Sequence, residues 1–153
     1  MKDDLFKTIE KFEPQMVSLL SGLIGIPAIS PLGGGTGEYR KAAYIAESME
    51  KMGFGKPEIY NSEDPTAEEG VRPNLVFRIP GKTSRRLWIV SHMDVVPEGD
   101  RGLWDTDPFK AVVRGRRIYG RGSNDNCQEL VSSVYAAAAL KELDLTPEFE
   151  VCL

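Results

Sequence analysis

The chain has one histidine in 153 residues, and it stands two positions before an aspartate in the stretch RRLWIVSHMDVVPEGD, residues 85–100. An imidazole is the commonest metal ligand among side chains and the one whose charge changes near neutral pH. His92 follows the apolar run Leu87–Ser91 (LWIVS), and α/β proteins place their sites just past the carboxyl ends of such strands. Asp94 can reach the second ring nitrogen or fix the loop that presents the ring. A carboxylate paired with a ligating histidine sets its tautomer and raises its basicity. The competing reading is a histidine that only packs.

The second stretch with chemistry in it is IYGRGSNDN, residues 118–126. Gly120 and Gly122 permit a tight turn, and Asp125 then stands at the start of an alanine-rich helix. Ser123 and Asp125 are favoured helix N-cap residues, which is a sufficient structural reason for them. A carboxylate there can also bridge two cations, its ionised form favoured by the helix N-terminus. The Gly/Pro-rich stretch IPAISPLGGGTGEYR lacks the lysine of a phosphate-binding loop and reads as a flexible loop. Cys127 and Cys152 cannot make a disulfide framework and read as free thiols of a cytoplasmic protein.

These residues need elements to hold them. Leu5, Ile9, Phe12, Met16, Leu19, Leu20 and Leu23 recur at helical spacing, with a kink or restart at Pro14. A second helix runs from Thr36 or Glu38 to about Met52, with Tyr39, Ala42, Ala43, Ala46 and Met49 on one face and Gly53 as its C-terminal stop. Strands are expected at Glu58–Tyr60, Asn74–Ile79 and Leu87–Ser91, with an acidic loop over 61–70. The third is apolar on both faces, as in the middle of a sheet. Gly115 centres a hairpin of Ala111–Val113 with Arg117–Tyr119. A helix over Asp125–Leu143 and a strand from Phe149 to Leu153 complete the pattern. Helices mixed with a buried strand define an α/β protein, with a mixed sheet flanked by helices.

Composition narrows the function classes. Charged residues are 27%, hydrophobic residues 41%, and the net charge is −4, so no nucleic-acid footprint is expected. No apolar run approaches the ~20 residues of a membrane span, and no signal-peptide core opens the chain, so a cytoplasmic protein without a membrane partner is expected.

His92-Met93-Asp94-Val95-Val96-Pro97, then Trp104 with Asp107-Pro108-Phe109, then Tyr119-Gly120-Arg121-Gly122 and Asp125 closely resemble the co-catalytic zinc amidohydrolases. That family includes acetylornithine deacetylase, succinyl-diaminopimelate desuccinylase, the aminoacylases and glutamate carboxypeptidase. The resemblance implies a zinc-peptidase-like catalytic domain in which His92 ligates one Zn2+, Asp125 bridges two, and the catalytic Asp94 supports His92. Co2+ is an expected substitute. The implied substrate is an N-acyl amino acid or small peptide, and a homo-oligomer is expected. Where many relatives continue with Met-Lys-Gly-Gly, this chain has Asn126-Cys127-Gln128-Glu129, which suggests a subgroup with a different substrate. Cys127 is read as packing rather than as a soft ligand, and Trp104 and Phe109 as core or loop packing. The family's Glu-Glu pair and remaining ligands should follow the last strand. Residues 1–153 are therefore expected to be an N-terminal segment of the catalytic domain, inactive alone. The alternative from another class is a non-catalytic α/β fold or oligomerisation module with relic metal motifs.

Overall fold

The computed structural model describes residues 2–153. The first helical pattern is two helices, α1 (Lys2–Lys11) and α2 (Glu13–Ile24). The chain restarts around Phe12, which places Pro14 in the first turn of α2, where its missing N–H breaks no helical bond. Helix α3 is Tyr39–Lys51. Its inner face differs from the expectation: Lys41, Ala42, Ile45 and Met49 are buried, while Tyr39 and Ala43 are exposed. The true stripe runs at 41, 42, 45 and 49, one residue round the helix from the alanine-based face. Gly53, at φ 77°, ends the helix as expected.

The strands are β1 (Glu58–Glu63), β2 (Val71–Val76), β3 (Arg78–Ile79), β4 (Thr83–Trp88), β5 (Val112–Arg114), β6 (Arg117–Tyr119) and β7 (Phe149–Cys152). β1 reaches into the expected acidic loop, pairing antiparallel with β2 from Glu58↔Val76 to Glu63↔Val71. The expected strand 74–79 is divided into β2 and β3 at Phe77. Phe77 N–H and C=O still pair with Leu153, at 2.9 and 3.0 Å, so the ladder continues through the break. β7 lies between β3, antiparallel, and β4, parallel. The sheet is therefore mixed. The parallel β4–β7 pair requires a long crossover, and this one contains the β5–β6 hairpin, centred on Gly115 as expected, and helix α4 (Cys127–Glu142).

Among the described residues the strand expected at the sheet centre has one strand neighbour, β7. β4 is exposed along its whole length, and Ile89–Ser91 lie beyond it. The reason is its single partner among the described residues. The Cys152 C=O takes the Ile89 N–H at 2.9 Å, and no other strand among the described residues pairs with β4.

The core lies among the helices. Leu19, Leu20, Leu23 and Ile24 of α2 interlock with Leu130, Val131, Val134 and Tyr135 of α4, closed by Ile45 and Met49 of α3 and by Phe77. Alanines 137–139 are buried on α4 and let it sit close. No helix among the described residues is long and apolar enough to cross a membrane.

Candidate metal centre

His92 and Asp94 leave the sheet on the segment after β4. Val95 N–H donates to Ala28 C=O at 2.9 Å, and Ile29 and Val95 form an isolated parallel bridge that anchors the segment's far end. Asp125 arrives from the other direction, on the turn between β6 and α4. That turn needs its glycines. Gly122 has φ 80°, and a Cβ there would lie 2.6 Å from Val95 Cγ1; a Cβ on Gly120 would lie 2.5 Å from Ile24 Cγ2. The close approach of turn to segment brings Asp125 to the histidine. The Asp125–Asn126 peptide bond is cis. Helix α4 starts after Asn126, whose side chain makes no capping bond, so the reading of Asp125 or Ser123 as N-cap does not hold. The Asp125 side chain is 83% exposed and free for another role.

The imidazole stands between two carboxylates. Nδ1 lies 3.1 Å from Asp94 Oδ1 and 3.1 Å from the Asp94 carbonyl; Nε2 lies 2.9 Å from Asp125 Oδ1. Burial works against a charged ring. The hydrogen bond to Asp125, the Asp94 carbonyl and the charges of both carboxylates outweigh it and hold the His92 pKa above its ordinary value. The three side chains line a cleft of about 200 Å3 together with Val95, Arg121 and Gly122. One wall is the loop after His92. Arg101 is ion-paired to Glu98 at 2.8 Å, and Trp104 Nε1 donates to Glu98 C=O at 2.9 Å. The Arg121 guanidinium lies over the Trp104 ring at 5.1 Å. Trp104 is thus a loop-packing residue, as expected.

Sequence reading missed the charged groups behind the centre. Lys41 is 1% exposed, its Nζ 3.9 Å from Cys127 Sγ. Burial pulls the ammonium's pKa down, opposed by Cys127, Asp94 and Glu38, and burial pushes the Cys127 thiol's pKa up. Glu38, also buried, is held by Arg72 of β2 through two contacts. The signal was present: 38, 41, 42, 45 and 49 form a helical stripe once its charged members are counted. Cys127 packs in the core, as expected. Glu38, Arg72, His92 and Asp94 also border a larger groove of about 570 Å3, whose floor is apolar.

The donors fit a borderline divalent cation. With Asp94 on Nδ1, the other ring nitrogen faces a second oxygen donor, giving the N and O ligands that Zn2+ accepts. Among the described residues no set of three His, Cys, Asp or Glu side chains converges on one point, because Asp94 lies on the far side of the ring from Asp125.

A mixed sheet backed by helices, with His92 and Asp94 just past the carboxyl end of β4 and Asp125 brought against the ring, frames the candidate site of this α/β unit. Residues 88–153 match the model of peptidase family M20/M25/M40. A metallohydrolase of Methanococcus maripaludis is 40% identical over 160 residues, covering 100% of this chain and 36% of that protein. A succinyl-diaminopimelate desuccinylase of a Methylobacterium species is 36% identical over 114 residues, 73% of this chain and 26% of the enzyme. The solved structure of the Saccharomyces cerevisiae dipeptidase Dug1p superposes with a TM-score of 0.80 at 24% identity, over 98% of this chain and 33% of that one. This chain carries, over residues 88–153, a segment of the M20 peptidase family. It spans about a third of the length of the metallohydrolases it matches.

Proposed function

We propose that these 153 residues are the metal-binding portion of a homo-oligomeric, cytoplasmic, zinc-dependent hydrolase. It cleaves amide or peptide bonds in N-acyl amino acids or small peptides. The observation that carries the reading is the histidine clasped between Asp94 and Asp125. His92 Nε2 and Asp125 would hold zinc, which when bound supplies a more acidic water and a polarised substrate carbonyl. Asp94 fixes the ring's orientation by accepting from Nδ1. Arg121, braced by Trp104 and the Glu98 carbonyl, lines the cleft beside them. The metallohydrolase and desuccinylase names of the relatives favour this reading over a non-catalytic module.

Calorimetric titration with Zn2+ or Co2+ tests it. Asp125→Ala and His92→Ala should abolish measurable binding, while Asp94→Ala should weaken it by about 10–100-fold, the usual effect of losing a ligand's hydrogen-bond partner. Equal losses for the two aspartates, both variants folded, would remove the assignment of Asp125 as ligand. The chain alone should not turn over N-acyl amino acids or dipeptides even with added metal, since a catalytic zinc takes about three protein ligands. Turnover proportional to purified chain would overturn that expectation.

A further inference from the structure

The least expected charge in the molecule is that of Lys41. A lysine is almost never fully buried unless it is paired, yet Lys41 is as buried as Ile24 in the helical core. Among the described residues its one hydrogen-bonding contact is the Cys127 thiol, 3.9 Å from Nζ, and sulfur is a weak acceptor. Packing alone does not explain this choice. A methionine is about as long and would fill the same space without the cost of burying a charge.

The ammonium stands where α3 meets the first turn of α4, behind both arms of the candidate metal centre. Cys127 is two residues past Asp125, and its N–H is bonded to Gly122 C=O at 3.1 Å, closing the turn that presents Asp125. Glu38, one helical turn before Lys41 on α3, borders the same groove as His92 and Asp94. Burial acts against the ammonium, and the charges that act in its favour are those of Cys127, Asp94 and Glu38. Glu38 is already matched by Arg72, which it holds through both carboxylate oxygens. Asp94 is not matched in this way: Oδ1 faces His92 Nδ1, and Oδ2 has no hydrogen bond among the described residues. The sequence beside Asp125 gives an independent sign. Many relatives carry a lysine two residues after that aspartate; this chain has Cys127 there, and the ammonium that touches Cys127 comes from α3.

We propose that Lys41 is a positioning residue of the candidate metal centre: an ammonium delivered from α3 that serves Asp94 as counter-charge and so steadies the carboxylate that orients His92. Direct contact is not required, because a charge in the interior is poorly screened and acts beyond hydrogen-bonding distance. A buried charge is weak evidence for stability, so its retention here is assigned to the site. The inference rests on the proposed function, in which His92 is a ligand and Asp94 its support, and adds a residue to that arrangement.

Lys41→Met separates charge from packing. It keeps the length of the side chain and removes a buried charge, so urea denaturation should show a stability equal to or above that of the wild type. Zn2+ binding, followed by calorimetry, should nevertheless weaken about three- to tenfold, less than the 10–100-fold expected for Asp94→Ala, because Lys41 acts through that residue. In an Asp94→Ala background, Lys41→Met should therefore change the affinity no further. Exchanging the pair, Lys41→Cys with Cys127→Lys, returns an ammonium to the same junction from α4 and should restore most of the lost affinity. A lysine that only supports the fold gives the opposite pattern, with lower stability and unchanged affinity in Lys41→Met. That pattern, or a loss of affinity that persists in full without Asp94, would overturn the role of Lys41 and leave the metal centre standing. A wild-type chain that binds no Zn2+ would overturn the proposed function and this role with it.

Discussion

The two arms of the candidate metal centre come from opposite kinds of surroundings. Asp125 is two residues from Cys127, which is 1% exposed and packs in the helical core beside Leu130 and Val131. His92 follows Leu87–Val90, an exposed apolar stretch that runs off the end of β4. Asp125 is anchored by interlocked side chains from α2 and α4. His92 is held by the Ile89–Cys152 bond behind it, the Val95–Ala28 bond ahead of it and its two carboxylate neighbours. The difference teaches that the geometry of the centre depends on the turn of Gly120–Asp125 closing over the His92 segment, more than on the sheet that delivers the histidine.

The widest gap between the two arms should be in stability. Leu23 is fully buried between α2 and α4, so Leu23→Ala should cost about 2–5 kcal/mol, the range for emptying a core leucine site. Val90→Ala, in an exposed position, should stay within about 0.5 kcal/mol. Urea denaturation of both variants measures this. Comparable losses would show that the β4 end is as well packed as the helices and would break the comparison.

A smaller effect should appear where the arms meet. Gly122→Ala places a methyl group 2.6 Å from Val95 Cγ1 at a φ of 80°, and should cost about 1–3 kcal/mol in strain. Because the displaced turn carries Asp125, Zn2+ affinity should fall with it. Lost stability with unchanged affinity would separate the turn from the site.

The smallest effect is electrostatic. The metal-free chain has one histidine, so one imidazole signal in a nuclear magnetic resonance titration reports the centre directly. Asp125→Asn should lower the His92 pKa, since the hydrogen bond to that carboxylate is the largest influence raising it. The sign for stability follows. A histidine with its folded pKa above the unfolded value contributes stability in full below the unfolded value, and that stability is lost as pH rises through the folded one. Unfolding of the metal-free chain should thus become slightly easier between near-neutral and alkaline pH, and His92→Gln should flatten the change. The ring is about half exposed, so solvent screening keeps the effect small. An unshifted signal in Asp125→Asn would place Asp125 out of contact in solution.

Local pattern carried much of the molecule. Pro14 marked the restart between α1 and α2, Gly115 the β5–β6 hairpin, and Gly53 the end of α3. Each is a constraint on one or two backbone angles, and such constraints act wherever the residue stands. The motifs around His92, Asp94 and Asp125 were legible for a related reason: metal chemistry admits few residue types, and their order along the chain survives folding. The apolar face of α3 was misjudged by one residue because Lys41 and Glu38 were counted as surface, and only three-dimensional packing buries them against Cys127 and Arg72.

What the sequence by itself determined, then, is which residues are able to do chemistry and which short segments are helix, strand or turn. Strand partnership was decided elsewhere. LWIVS has the composition of a central strand, but composition specifies only that a segment prefers cover. Whether cover exists depends on which strands enter the sheet beside it. That β7 lies between β3 and β4, and that Asp125 meets the far nitrogen of His92, are both long-range outcomes. They follow from the crossover through α4 and the packing of that helix on α2, contacts between residues a hundred positions apart that no local window contains.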